Sequence, residues 1–308
     1  MRTPNCVVIL GIFVADTAYR AERQPRMGET ILGKSFVLGP GGKGSNQSVA
    51  AAMAGAETHF ITRLGRDAFA DIAMATWGKA GVHPAVTRSD SYTGAAYIFI
   101  EQATGNNAII VAAGAAGEIS TADVEANAGL IASASVFVTQ LEQPIPAAVR
   151  ALEIARGAGV TTILNPAPAA DLPAGMLALC DYVTPNESEA EGLTGLPVTN
   201  PEQALAAAKA LIAKGARAAV ITLGGQGALF HDGHQTVHVP VFKAGPVVET
   251  TGAGDAFNGG FAAALAGGMA PVDAVRFGSA TAGISVTRPG TAPSMPARAE
   301  IEALLARG

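Results

Sequence analysis

Short apolar runs, each closed by a polar residue or a glycine, recur along most of this chain and leave few architectures open. The first is Val7-Val-Ile-Leu10, closed by Gly11. Thr58–Thr62 runs on to Gly65 and Asp67, Val136–Val138 to Gln140 and Glu142, Val160–Leu164 to Asn165, Tyr182–Thr184 to Asn186, and Ala219–Leu223 to Gly224. Helical stretches such as Pro146–Arg156 and Pro201–Lys214 lie between most of them. An unbroken apolar run of this length is a strand covered on both faces. Strands alternating with helices build a parallel sheet with helices on either side. Ligands of such sheets sit beyond the carboxyl ends of the strands. The polar residues that close the runs are therefore expected along one shared edge.

With 308 residues there is room for one large α/β domain, alone or with a small appendage. At 49% hydrophobic and 15% charged residues, the chain can bury a sizeable core. A net charge of −5 argues against nucleic acid or an anionic membrane surface as partner. No apolar run reaches the roughly 18 residues of a membrane span, and no leader pattern opens the sequence, so a cytoplasmic location is expected. Cys6 and Cys180 both adjoin apolar runs and are expected as buried, reduced thiols.

One late stretch carries chemistry: Glu249-Thr-Thr-Gly-Ala-Gly-Asp-Ala-Phe-Asn258. Gly252, Ala253 and Gly254 allow a sharp bend and a close backbone approach to a ligand. Phe257, Phe261 and Leu265 follow at helical spacing, stopped by Gly267 and Gly268. The bend thus lies at a helix N-terminus, where free N–H groups and the positive end of the dipole favour an anion. Asp255 cannot bind a phosphate there, but it can take a proton beside one. The combination suggests phosphoryl transfer to an alcohol. An ordinary glycine turn with an acidic first-turn residue is the bland alternative. A second turn, Gly39-Pro-Gly-Gly-Lys-Gly-Ser-Asn46, opens a helix expected over Gln47–Ala54. It is not a Walker loop, because Val37 stands where that motif needs glycine and Gly44 follows Lys43. It remains a ligand-hugging turn with Lys43 and Asn46 as donors. Asp16 lies just past the first strand, placed either to accept hydrogen bonds from ligand hydroxyls or to serve a turn.

Residues 13–39 hold short alternating pieces broken by Pro25, Gly28 and Gly33. Ala95–Glu101, Gly105-Asn-Asn107 and Ala108–Val111 read as a hairpin. The two segments can pair as a small sheet, whose apolar face must lie over a cleft or against a second copy. Near the other end, His231, His234 and His238 flank an Asp-Gly turn, expected on a solvated strand face and only rarely a metal site.

Taken together, Gly41-Gly-Lys-Gly-Ser-Asn46, Asn186-Glu-Ser-Glu189, Thr222-Leu-Gly-Gly-Gln-Gly227 and Thr251-Gly-Ala-Gly-Asp255 resemble the signatures of the PfkB carbohydrate-kinase family, in order and over nearly the whole chain. Asn165-Pro-Ala-Pro168, Thr184-Pro-Asn-Glu187 and Val286-Thr-Arg288 point to its ribokinase branch. The resemblance implies a three-layer α/β/α fold with a mostly parallel central sheet. Residues 1–12, 40–90 and 113–308 would form that body, and 13–39 with 91–112 a small β-sheet lid that often makes a dimer contact. It implies ATP-dependent phosphorylation of the terminal hydroxyl of a pentose, ribose first among them, or of another sugar or a nucleoside. Asp255 would be the general base, with the amides of Gly252, Ala253 and Gly254 as anion hole. Asp16, Gly42, Lys43, Asn46 and Glu142 match sugar-binding positions. Asn186, Thr222, Leu223, Gly224, Gly225, Gln226, Gly227, Gly254 and Gly278 match nucleotide-binding ones. Glu189 would help to place magnesium, indirectly. Glu249, Thr251, Ser285, Arg288, Gly290 and Ser294 match the ligands of a monovalent cation such as potassium. Three positions depart from the pattern. Val14 replaces the usual Asn and removes one sugar hydrogen bond, worth about 0.5–1.5 kcal/mol. Glu249 replaces Asp and shifts its carboxylate by a methylene. Gly278 lies where a larger side chain often contacts adenine.

Overall fold

The computed structural model of the chain describes residues 3–307. Residues 1, 2 and 308 of the expected main-body segments lie outside them. In chain order the elements are β1 (Cys6–Leu10), β2 (Val14–Ala21), β3 (Ser35–Gly41), α1 (Lys43–Met53), β4 (Glu57–Leu64), α2 (Ala68–Ala80), β5 (His83–Arg88), β6 (Thr93–Glu101), β7 (Asn107–Gly114), α3 (Thr121–Ala126), α4 (Ala128–Ser133), β8 (Val136–Thr139), α5 (Ile145–Gly157), β9 (Thr161–Leu164), β10 (Tyr182–Val183), α6 (Glu187–Thr194), α7 (Pro201–Ala213), β11 (Ala218–Thr222), β12 (Ala228–His231), β13 (Thr236–Val239), α8 (Ala253–Ala266), α9 (Pro271–Ser285) and α10 (Arg298–Leu305).

Nine strands form the large sheet in the order β13-β12-β11-β10-β9-β8-β1-β4-β5. It is parallel except where β11, β12 and β13 pair antiparallel. Strand β1 is buried along its length and alternates between two cores. Val7 and Ile9 face Val49 of α1, Trp77 of α2, Phe261 of α8 and Val275 of α9. Cys6, Val8 and Leu10 face Val124 of α3, Leu152 of α5 and Leu211 of α7. These are the three layers: α1, α2, α8, α9 and α10 on one face, and α3 to α7 on the other. The chain runs outward from β1 through β4 and β5, then returns to β8 on the other side of β1. The strand order reverses there, which is where such sheets open a ligand crevice.

Helices α1 and α8 share a face and pack closely. A Cβ on Gly259 of α8 would stand 2.6 Å from Gln47 O and 2.8 Å from Ala51 N, so nothing larger than hydrogen fits. Helix α1 starts at Lys43, four residues before the expected Gln47. Its first turn contains Gly44, which reads as loop. The glycine is there because Gly11 packs on it, with a Cβ on Gly44 falling 2.7 Å from Gly11 Cα.

Strands β3-β2-β6-β7 form a second, four-stranded sheet in which β2 and β6 run parallel. Tyr19 packs tilted against Phe36 and Tyr97 at ring-centroid distances of 4.9 and 5.7 Å. By register, Tyr19, Phe36, Leu38 and Ile110 share one face, and Val37, Ile109 and Val111 share the other. All seven are exposed. Among the described residues no helix is long and apolar enough to cross a membrane. Cys6 and Cys180 are free and buried, and burial pushes their thiols up to about 11 and about 12. His231 departs from the solvated strand face expected of it. It is buried, its ring bonded to Gln235 O and Thr236 Oγ1 across its own hairpin, whereas His238 reaches Gln226 O at 2.6 Å.

Candidate active site

The loops after β1, β8, β9, β10 and β11 open on one edge of the large sheet, and α1 and α8 aim their N-termini at the same place. Gly42 begins α1 at φ 88°, where a side chain would be strained and would also press on Ile12 O. Lys43 N–H, left open at the helix start, donates to Glu142 Oε2 at 2.7 Å. Gly252 begins α8 in the left-handed region at φ 80°. Ala253 N–H turns back to Thr250 O at 3.1 Å, whereas the N–H groups of Gly252 and Gly254 meet no acceptor among the described residues.

Asp255, in the first turn of α8, is almost fully buried. Its Oδ2 accepts from Asn46 Nδ2 at 3.1 Å and its Oδ1 from Gln47 Nε2 at 3.0 Å. Burial raises its pKa; the Lys43 charge and the two amide donors hold it back. Lys43 in turn feels Asp255, Glu142 and Glu189. A cleft of about 140 Å³ is lined by Lys43, Asp255, Gly252 and Gly254 on one side and by Asn186, Glu189 and Thr222 on the other. It thereby joins residues expected to hold sugar with residues expected to hold nucleotide.

Asn186 and Glu189 have a structural reason to be where they are. Asn186 Oδ1 caps α6 by accepting Glu189 N–H, and Glu189 Oε2 accepts Asn186 N–H, both at 2.9 Å. The remaining Glu189 oxygen is the one available to a ligand. The next strand reaches this corner through a single bridge, Asn186 to Thr222. Leu223 is buried beneath the turn of Gly224–Gln226, Gly225 and Gln226 are exposed, and Gly227 adopts φ 92°. Gly278 is not among the residues that line this cleft. A Cβ there would stand 2.8 Å from Phe257 O, so its smallness serves the α8–α9 contact.

Around the positions expected to hold a cation, Val248 and Glu249 N–H both bond Val286 O, and Glu249 Oε2 accepts Gly290 N–H at 2.8 Å. The 249–251 loop is thus sewn to the 285–294 segment. Thr291 packs on Gly252 and ties to β3 through Pro40 O at 2.8 Å. Ser285 and Ser294 are buried with their hydroxyls bonded to local carbonyls, and the Arg288 guanidinium pairs outward with Glu300. Val14 is buried in the second core.

Asp16 completes the ring. Burial, then the charges of Asp255 and Glu249, raise it to about 6. Burial raises Glu142 to about 7 despite Lys43. An acid whose folded pKa is raised holds its proton more tightly when folded, so its contribution is present below the unfolded value and lost as pH climbs through the folded one. Asp16→Asn is therefore expected to stabilise the protein at pH 7 by on the order of 1 kcal/mol, with no gain near pH 4. Urea unfolding at the two pH values checks this; equal effects at both would refute the charge explanation.

An open helix N-terminus facing a buried, lysine-flanked carboxylate, beyond a doubly covered parallel sheet, defines a phosphotransferase acting on an alcohol. Residues 5–298 match the model of the pfkB family carbohydrate kinases, and the chain belongs to that family. It is 38% identical over 304 residues to a ribokinase of Staphylococcus aureus, covering 96% of this chain and 98% of that protein. It is 37% identical to a bifunctional ribokinase/ribose-5-phosphate isomerase A of Fructilactobacillus sanfranciscensis, of which it spans 55%. The structure of Arabidopsis thaliana ribokinase complexed with ribose and ATP superimposes with a TM-score of 0.91 at 32% identity, covering 99% of each chain.

Gln140 falls on the sheet edge where it is expected, but the sequence gives no site role to Gln47, which it places only at the start of a helix. A glutamine buried in an alanine-rich helix was the available signal for Gln47, and the distant partner that explains it was not in view.

Proposed function

We propose that the protein is an ATP-dependent ribokinase, transferring a phosphoryl group to the terminal hydroxyl of D-ribose. The observation that carries this reading is Asp255, buried within reach of Asn46 at the open end of α8, in a cleft shared with Asn186 and Thr222. Asp255 takes the hydroxyl proton, while the open N–H groups of Gly252 and Gly254 are offered to the charge on the transferring group; Ala253 N–H, turned back to Thr250 O, does not join them. Asp16, Asn46 and Glu142 hold the sugar, with Lys43 beside them; Asn186 and the 222–227 turn hold the nucleotide. Five carboxylates, Asp16, Glu142, Glu189, Glu249 and Asp255, gather around this site against one lysine, which three of them, Asp255, Glu142 and Glu189, face, so a polyphosphate needs cations to approach. Glu189 has a free oxygen for a water of a magnesium ion, which would neutralise phosphate charge when bound. The carboxylate and backbone oxygens around Glu249 suit a hard monovalent cation, potassium, which would steady the bend. The four-stranded sheet serves as a lid that excludes water, and its outer apolar face joins two copies in a cytoplasmic homodimer.

Val14 gives a second reading some footing, because a valine cannot hydrogen-bond a sugar hydroxyl. A panel of sugars and nucleosides with ATP and magnesium separates the two. Ribose is expected to give the highest kcat/KM, and a substrate well above it would replace ribose. In the same assay potassium is expected to activate over sodium; equal rates with either ion and with neither would remove the cation site.

A further inference from the structure

Asp255 does not stand alone on its buried side. Gln47 Nε2 donates one hydrogen to Asp255 Oδ1 and the other to Asn165 Oδ1, each at 3.0 Å. Gln47 Oε1 accepts from Gln140 Nε2 at 2.6 Å. Asn165 passes the chain on to Thr184 O at 3.0 Å, Thr184 Oγ1 to Asn258 Oδ1 at 2.6 Å, and Asn258 Nδ2 to Gly254 O at 2.8 Å. Gln47 and Gln140 are fully buried, and Gln47 spends every donor and an acceptor on named partners. The amide orientations follow from chemistry. An ionised carboxylate can only accept, so Gln47 must turn its NH₂ toward Asp255 and its oxygen toward Gln140. Gln140 then has to present its own NH₂, and its Oε1 is left without a donor against Gly11 and Gly44. Leaving a buried acceptor unmet is unfavourable. It is tolerated here because the ionised carboxylate dictates the direction of the whole chain.

Resting on the kinase reading of this site, we infer that Gln47 is a positioning residue for the reaction. It anchors Asp255 Oδ1 from behind, backed by Gln140, so that Oδ2 is the oxygen left to receive the hydroxyl proton. Asn46 can surrender its bond to Oδ2 when the sugar arrives, having an unmet Oδ1 of its own to offer a hydroxyl. Gln47 has no such freedom.

The test is steady-state kinetics of Gln47→Leu and Gln47→Glu across pH, with thermal melting and ADP affinity measured alongside. The charges facing Asp255 are Lys43 on α1, Asp16 on β2, Glu142 after β8 and Glu189 on α6, with Glu249 beside Asp16, and all stay in place. Gln47→Leu is expected to lower kcat by about 10–100-fold with KM for sugar within about threefold. The acid limb of kcat should move upward in pH, since the buried carboxylate loses a donor that favours its charged form. Gln47→Glu keeps the shape but places a second acid beside Asp255 and should move that limb further still. A kcat within twofold of wild type in both variants would overturn the role. So would a loss of kcat that tracks lost folding or ADP affinity while the acid limb stays put. If the wild-type protein releases no ADP with any sugar, the kinase reading itself fails, and that is seen before any variant is made.

Discussion

Asp255→Asn is expected to lower kcat by about 10²–10⁴ and to leave sugar affinity within a few-fold. Asparagine fills the same buried space, so the contact between α1 and α8 survives. The new side chain can still accept from Gln47 through its Oδ1 and donate to Asn46, whose amide is able to turn its unmet oxygen inward. What is lost is the proton acceptor, and no other acid replaces it. Glu142 is engaged by Lys43 N–H, and Glu189 by Asn186 N–H. Isothermal titration with sugar and initial rates of ADP release measure the two halves of the expectation. Turnover close to wild type would remove Asp255 from the chemistry.

Lys43→Met should lower kcat/KM by about 10²–10³, the range for removing one preorganised positive donor from a developing anion. Methionine keeps the length and apolar stem of the side chain, so packing changes little. The charge has two tasks. It faces Asp255, Glu142 and Glu189, and it holds back the rise that burial imposes on Asp255 and Glu142. Without it both acids keep their protons to higher pH, and the site loses its base as well as its cation. The acid limb of the rate profile should therefore move upward along with the fall in rate. A variant within tenfold of wild type, with an unmoved profile, would show that Lys43 is only a helix-opening residue.

Much of this site could be read from local windows. The strands announced themselves because each is covered on both faces, and their terminal polar residues fell on one edge because a parallel sheet aligns its carboxyl ends. The bend at Gly252 and the start of α8 were legible for the same local reason, since glycine and the periodicity of Phe257 and Phe261 lie within one stretch. The start of α1 was not. Gly44 looks like loop until Gly11 is brought against it, and those residues meet only through the sheet. Gln47 was silent because its meaning depends on Asp255 and Gln140. His231 looked solvated because the Asp232–Gln235 turn hides how far its ring folds back over the hairpin. At Gly278 the sequence shows only a missing side chain, and what no local window reveals is that the neighbouring helix closes on that position.

Asn46 and Asp255 lie 209 positions apart along the chain yet share a hydrogen bond. A ribosome therefore releases the sugar-facing half of the pocket long before the acid that would act on it. A nascent chain carries Lys43 and Glu142 without their counterpart, and its buried amide row waits unfinished until α8 emerges and docks. Premature turnover of nucleotide during synthesis is excluded by sequence distance alone, and the closing of the catalytic centre becomes one of the last events in the birth of the molecule.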